Sequence, residues 1–302
     1  MLAPALGSVI SKMEVGGGDE KRLNSGRVKV AAVVQCSLMR ALFFGLFLFA
    51  TGVSVLGAEA AKPLKALMIT GGCCHDYTNQ KRILSEGISA RTPVEWTVVH
   101  DVEIVDGKDI AVSKEHLSSA YAKDGWAQGY DVVVHNECYG AMKDPATLRR
   151  ISKGHLEGAV PAVFLHCAMH SYRMAAEEDA NLWRALVGAK SMYHEPAAVL
   201  TVKRVEAVHP VMKGFPLEWT TPVKDELYIL EKVYDSATVL AHSYSEKLKV
   251  QNPVVWVNQA GKLRTFSTSL GHQNAVMETP EYLDLVTRGV LWVCSRLEGA
   301  GK

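Results

Sequence analysis

Leu64-Lys65-Ala66-Leu67-Met68-Ile69-Thr70, running into Gly71-Gly72-Cys73-Cys74-His75-Asp76, is the stretch that decides the fold. A short, almost wholly apolar run ending at paired glycines reads as a buried strand whose carboxyl end opens into a loop. Apolar residues Ile83, Leu84 and Ile88 then recur at helical spacing between Thr78 and Ala90, with Thr78 placed to cap the helix. The alternating Val94–Val99 follows as a second strand, Asp131–His135 as a third, a helix from Pro145 to Leu156, and Ala162–His166 as a fourth strand. Strands that are apolar along their length, separated by helices, predict a doubly wound, mostly parallel α/β sheet. The second half alternates instead, over Ala198–Val205, Tyr228–Val233, Thr238–Ser243 and Pro253–Ser267. These predict further strands, some antiparallel, covering one edge. A closing helix is expected from Glu281 to Leu297, where Leu283, Val286, Val290, Leu291 and Val293 recur at helical intervals.

Outward from that body, the amino-terminal part reads differently. Met39-Arg40, an apolar run to Leu56 and Ala58-Glu59-Ala60 supply the three parts of a secretory signal peptide over residues 39–60, with cleavage expected after Ala60. The apolar run is short and broken by Gly and Ser, so an uncleaved membrane anchor is the lesser reading. Residues 1–38 contain Gly16-Gly17-Gly18-Asp19-Glu20-Lys21-Arg22 and no apolar period. They read as a misassigned start or a disordered arm. Residues 61–302 are then expected to form one domain, periplasmic or secreted.

With 33 Lys and Arg against 32 Asp and Glu, the chain is nearly neutral and carries no basic stripe. That argues against a nucleic-acid partner. No amphipathic basic helix points to a membrane surface, so no stable membrane association is expected once the signal is removed. Beyond Cys36, the cysteines Cys73, Cys74, Cys138, Cys167 and Cys294 are scattered and odd in number, which is not a disulfide framework. One pair could still form in an oxidising compartment, Cys73 with Cys138 or Cys167, if their strands are neighbours.

In open α/β sheets a ligand binds beyond the carboxyl ends of the strands, so residues just after the strands carry most weight. There the sequence puts His75-Asp76, then His135-Asn136-Glu137-Cys138, then His166-Cys167-Ala168-Met169-His170, and later Asp225-Glu226-Leu227-Tyr228 and Gly271-His272. Imidazoles titrate near working pH and serve as acids or bases. His166 and His170 are four apart, so on an α-helix they would share a face and could clasp a divalent ion such as zinc or manganese, with His75, His272 or Glu226 completing the shell. The competing reading has one of the two bound to backbone or substrate and the other on the surface. Asp76 either caps the following helix or orients His75. Tyr228 and Trp256 either stack on a sugar ring or pack in the core.

Taken in order, Gly71-Gly72-x-x-His75-Asp76, Leu165-His166-Cys167-Ala168, His209-Pro210-Val211, Asp225-Glu226-Leu227-Tyr228, Pro253-Val254-Val255-Trp256 and Gly271-His272 resemble the ThuA-like (trehalose-utilisation) proteins, over about Leu64 to Leu297. The resemblance implies a flavodoxin-like sheet of the class I glutamine amidotransferase superfamily. It also implies work on a small-molecule carbohydrate, a keto-sugar supplied by a partner dehydrogenase; homo-oligomerisation stays open. On that footing the catalytic candidates are His75, His166, His272 and Glu226, performing isomerisation or elimination beside a sugar carbonyl. Asp76, Glu137, Cys167, His170, Tyr228 and Trp256 are candidate substrate contacts. Amidotransferases place a nucleophile at the corner held here by Cys167, which makes a Cys167-dependent hydrolase one alternative. Its neighbours are His166 and Ala168 rather than glycines, and ThuA-like members often carry serine at this corner. A non-catalytic sugar-binding module is the other alternative.

Overall fold

The apolar run at Leu64–Gly72 forms β1, the strand about which the sheet is organised. The computed structural model describes residues 62–106, 108–205 and 209–297; the expected signal peptide and the segment before it lie outside them. In chain order β1 is followed by α1 (Tyr77–Ser89), β2 (Val94–Val105), β3 (Lys108–Ala111), β4 (Val132–Cys138), α2 (Pro145–Leu156) and β5 (Ala162–Leu165). Next come α3 (Glu177–Val187), β6 (Ala189–His194), β7 (Thr201–Arg204), β8 (Glu218–Thr220) and β9 (Tyr228–Val233). The chain closes with β10 (Ala237–Ser245), β11 (Val250–Ala260), β12 (Leu263–Thr268), α4 (Asn274–Met277) and α5 (Pro280–Val293).

Ten strands join in the order β3-β2-β1-β4-β5-β12-β11-β10-β7-β8, and β6 pairs separately with β9. The strands β2, β1, β4, β5 and β12 run parallel. Counting only these five in chain order, the arrangement is 2-1-3-4-5, the flavodoxin-like order. The antiparallel strands β11, β10, β7 and β8 extend one edge.

Both faces of β1, β4 and β5 are covered, which is why their apolar residues run on continuously rather than alternating; β2, nearer the edge, alternates. Along β4, Val132 and Val134 enter a core with Ile83, Leu84 and Ile88 of α1 and with Leu285, Val286 and Val290 of α5. Val133 points the other way, into a core with Leu148 and Ile151 of α2 and Trp183 and Leu186 of α3. Leu84 is fully buried, so Leu84→Ala is expected to cost about 2–5 kcal/mol.

Three local details differ from the sequence reading. The cap of α1 is Asp76, not Thr78: its carboxylate accepts from Asn79 N at 3.2 Å. Strand β4 continues to Cys138 instead of stopping at His135. The residues after β5 form a 3-10 turn over His166–His170. Helix α3 escaped the periodicity reading, although Glu177-Glu178-Asp179 is an acidic first turn and Gly188 a left-handed carboxyl cap, both ordinary helix signals.

Candidate active site

The switch point of the sheet falls between β1 and β4, where connections leave in opposite directions. Leaving β1, Gly72 has φ +98°, and a Cβ there would collide with the Cys138 carbonyl at the end of β4. Only glycine lets the two strand ends lie this close. The chain then delivers His75 just ahead of the first turn of α1.

His166 follows β5 directly at φ +43°, a left-handed conformation costly for a branched-free but bulky side chain and found at over-determined sites. Its Nδ1 lies 2.6 Å from the Ser269 carbonyl. A carbonyl only accepts, so Nδ1 carries a proton, and this contact turns Nε2 toward Glu226 and Tyr228. His272 arrives from the turn after β12. Asp225, fully buried, grips that turn by accepting from Gly271 N at 2.9 Å and His272 N at 2.8 Å.

These three histidines meet. The His75 ring centroid is 4.8 Å from that of His166 and 4.9 Å from that of His272, and the latter two are 5.5 Å apart. One nitrogen from each falls within 4.8 Å of the others, an arrangement able to hold a metal ion. Glu226 closes the group: one carboxylate oxygen is 3.4 Å from His166 Nε2 and 3.3 Å from His272 Nδ1, and the other 3.5 Å from His194 Nδ1. The Tyr228 hydroxyl is 3.3 Å from His166 Nε2.

Their environments pull the protonation equilibria apart. Burial, reinforced by the neighbouring His166 and His272, pushes His75 down to about 2, so it is a neutral imidazole. Contact with Glu226 raises His272 above its ordinary value, against partial burial. Burial would raise Glu226, but His166 and His272 outweigh it and hold the carboxyl well below the usual range. A neutral imidazole, a readily protonated imidazole and a firmly ionised carboxylate thus share one place.

The group opens on a cavity of about 340 Å³, at the small end of small-molecule sites. His75, Cys167, His170, Glu226, Tyr228 and His272 all line it. His194 lines it too, at the carboxyl end of β6.

Other candidates fall elsewhere. His166 and His170 do not form a two-histidine clasp: in a 3-10 turn, with about 3.0 residues per turn, positions four apart diverge by about 120°. His170 instead stacks on Tyr228, centroids 3.9 Å apart, with Nε2 3.0 Å from Ser191 Oγ. Burial, with Arg173 nearby, pushes it down to about 2. Glu137 is fully buried and does not line the cleft. Because β4 continues past His135, alternation turns Glu137 to the opposite face, where it accepts from Tyr121 OH at 2.6 Å and lies 3.0 Å from His135 Nδ1. Trp256 is a core residue, with Nε1 donating to the Val187 carbonyl at 2.8 Å. Asp76 is a cap and a tie, accepting also from Asn274 Nδ2 at 2.8 Å, and is not part of the cleft lining.

Cys167 is joined to Cys138 in a disulfide, and Cys73 to Cys74 in a vicinal one. Neighbouring β4 and β5 bring Cys138 and Cys167 together, so neither expected partner of Cys73 is available. A sulfur bonded to sulfur is no thiolate, which removes the hydrolase nucleophile from this oxidised chain.

Two solved structures share this architecture. A ThuA-like protein from Parabacteroides merdae is 21% identical, with 78% of this chain and 92% of that one covered at a TM-score of 0.58. Another from Bacteroides uniformis is 15% identical, with 80% and 95% covered at 0.56. At these identities the likeness speaks to the fold. No curated protein matches the sequence. The sequence profile described as trehalose utilisation matches residues 66–293, from within β1 to the last residue of α5, and on that extent the chain belongs to the ThuA family.

Proposed function

We propose that this protein is an enzyme that moves a proton beside the carbonyl of a keto-sugar, in an isomerisation or elimination. The family supports the sugar-associated role. The observation that carries the chemistry is the convergence of His75, His166 and His272 on Glu226. Acid/base catalysis needs a lone pair on one side of the substrate and a proton on the other, with pKa values driven apart. His75, kept neutral by burial, supplies the lone pair. His272, whose proton affinity Glu226 raises, is placed to donate toward the carbonyl oxygen as charge gathers there.

The same donors suit a divalent transition metal, zinc or manganese. His75 is neutral, its Nδ1 is buried without a partner, and the Nδ1–H of His166 is spent on a backbone carbonyl, an arrangement usual for metal-binding imidazoles. A bound ion would supply Lewis-acid polarisation of the carbonyl. His75, His166 and His272 would hold it, and Glu226 would orient the two histidines it touches.

The substrate would come from a sugar dehydrogenase, and residues 39–60 support action outside the cytoplasm. Elemental analysis of the purified chain, followed by incubation with keto-glycosides, tests the reading. About one zinc or manganese per chain, lost together with turnover in His75→Ala and His166→Ala, supports it. Full turnover in His166→Ala and His272→Ala would remove the cluster from the chemistry.

A further inference from the structure

Two cations, Arg173 and Lys114, line the same cleft as the histidines, and no carboxylate among the described residues pairs with either. We propose that the cleft takes an anionic sugar, whose carboxylate or phosphate is bound by Arg173 and Lys114. The proposal rests on the sugar reading above and names the class of sugar.

The two cations come from different loops, after β3 and after β5, and the backbones of both are tied to a third, the segment that leaves β4. Tyr172 N donates to the Tyr139 carbonyl and Met174 N to the Gly140 carbonyl, each at 3.1 Å, so the backbone on either side of Arg173 is pinned. Ala141 N donates to the Lys114 carbonyl at 3.0 Å, which fixes Lys114 to the next residue of that loop. Tyr172 sits at φ +60°, a strained conformation retained immediately before Arg173. Gly140 also lies against the guanidinium, since a Cβ there would sit 3.7 Å from Arg173 Nε.

Arg173 Nη1 donates to the Met192 carbonyl at 2.7 Å, which orients the fork while leaving other N–H groups unspent. Its charge is felt inside the cleft, where it helps keep His170 neutral. Other arginines do find carboxylates: Arg149 meets Asp179, Arg150 meets Asp124 and Arg184 meets Glu177. The cleft's own carboxylate, Glu226, is already surrounded by three imidazoles. A neutral sugar would leave the guanidinium of half-buried Arg173 without an anion, while Lys114, exposed at the rim, would stay solvated. A planar carboxylate or a phosphate pairs with a guanidinium through two charge-assisted hydrogen bonds, and the lysine adds a point charge. Discrimination would come as much from the penalty on neutral sugars as from the attraction of acidic ones.

Calorimetric titration of the full chain at low ionic strength, with D-glucuronate, D-glucose 6-phosphate and D-glucose as probes, tests this. At least one anion should bind about tenfold more tightly than glucose, and the preference should collapse in Arg173→Gln/Lys114→Gln of unchanged melting temperature. Which anion leads separates a carboxylate from a phosphate ligand. Glucose binding as tightly as both anions, or a preference that survives the double substitution, would overturn the anionic class and leave the sugar reading standing. No binding of any probe at millimolar concentration would overturn both.

Discussion

His166 concentrates the argument at the smallest scale. Its backbone is left-handed, its Nδ1 proton is committed to Ser269, and its free nitrogen faces Glu226 and Tyr228. Asparagine tolerates left-handed φ better than most residues. His166→Asn should therefore keep the melting temperature within a few degrees while lowering kcat by about 10² or more, the usual worth of a positioned acid or base. Glu226→Gln removes the charge that raises His272, so NMR titration of that imidazole should move down toward its ordinary value. Gly271 tests the mounting of the site. At φ +106° it has no room for a side chain, since a Cβ would meet the Tyr282 hydroxyl at 2.7 Å. Gly271→Ala should destabilise by about 1–3 kcal/mol in urea unfolding. At this scale the strand-end histidines could be read from the sequence because they follow apolar runs. Glu137 could not: a residue's role on a strand depends on where the strand ends, and β4 runs three residues beyond its expected end at His135.

Elements explain which candidates meet. The loops after β1, β5 and β12 belong to strands on both sides of β4, so His75, His166 and His272 converge although some 200 residues of sequence span them. The helix starting at Pro145 was legible because proline sits at its first position behind a capping Asp144. The 3-10 turn was not legible, because four-residue spacing on its own does not distinguish it from an α-helix. Asp76 links element to site, capping α1 while also binding Asn274 beside the His272 turn. Asp76→Ala should cost about 1 kcal/mol, read in urea, as caps generally do.

For the whole molecule, the α/β class and the antiparallel edge followed from the change in patterning midway along the chain, from continuous apolar runs to alternation. The alternation over Tyr228–Val233 matches β9, but its partner β6 and helix α3 were not read. Burial also leaves a signature in pH. His75 and His170 are lowered to about 2 and His155 to about 3, chiefly by burial. In the unfolded chain each takes a proton near its ordinary 6.5. Between these values the unfolded state binds more protons, so stability is full above about 6.5 and falls as pH drops toward 3, by about 1.4 kcal/mol per pH unit per group. Urea unfolding at successive pH values should show this fall, and His155→Gln, which removes one fully buried group, should lessen its slope by about 1.4 kcal/mol per pH unit.

The central claim is that imidazoles from three strand ends act on one substrate proton. NMR of a keto-glycoside in D2O follows that proton directly. The native chain should wash deuterium into the carbon beside the carbonyl, and His166→Asn and His272→Ala should each slow this by about 10². Exchange at the native rate in both variants would contradict the account.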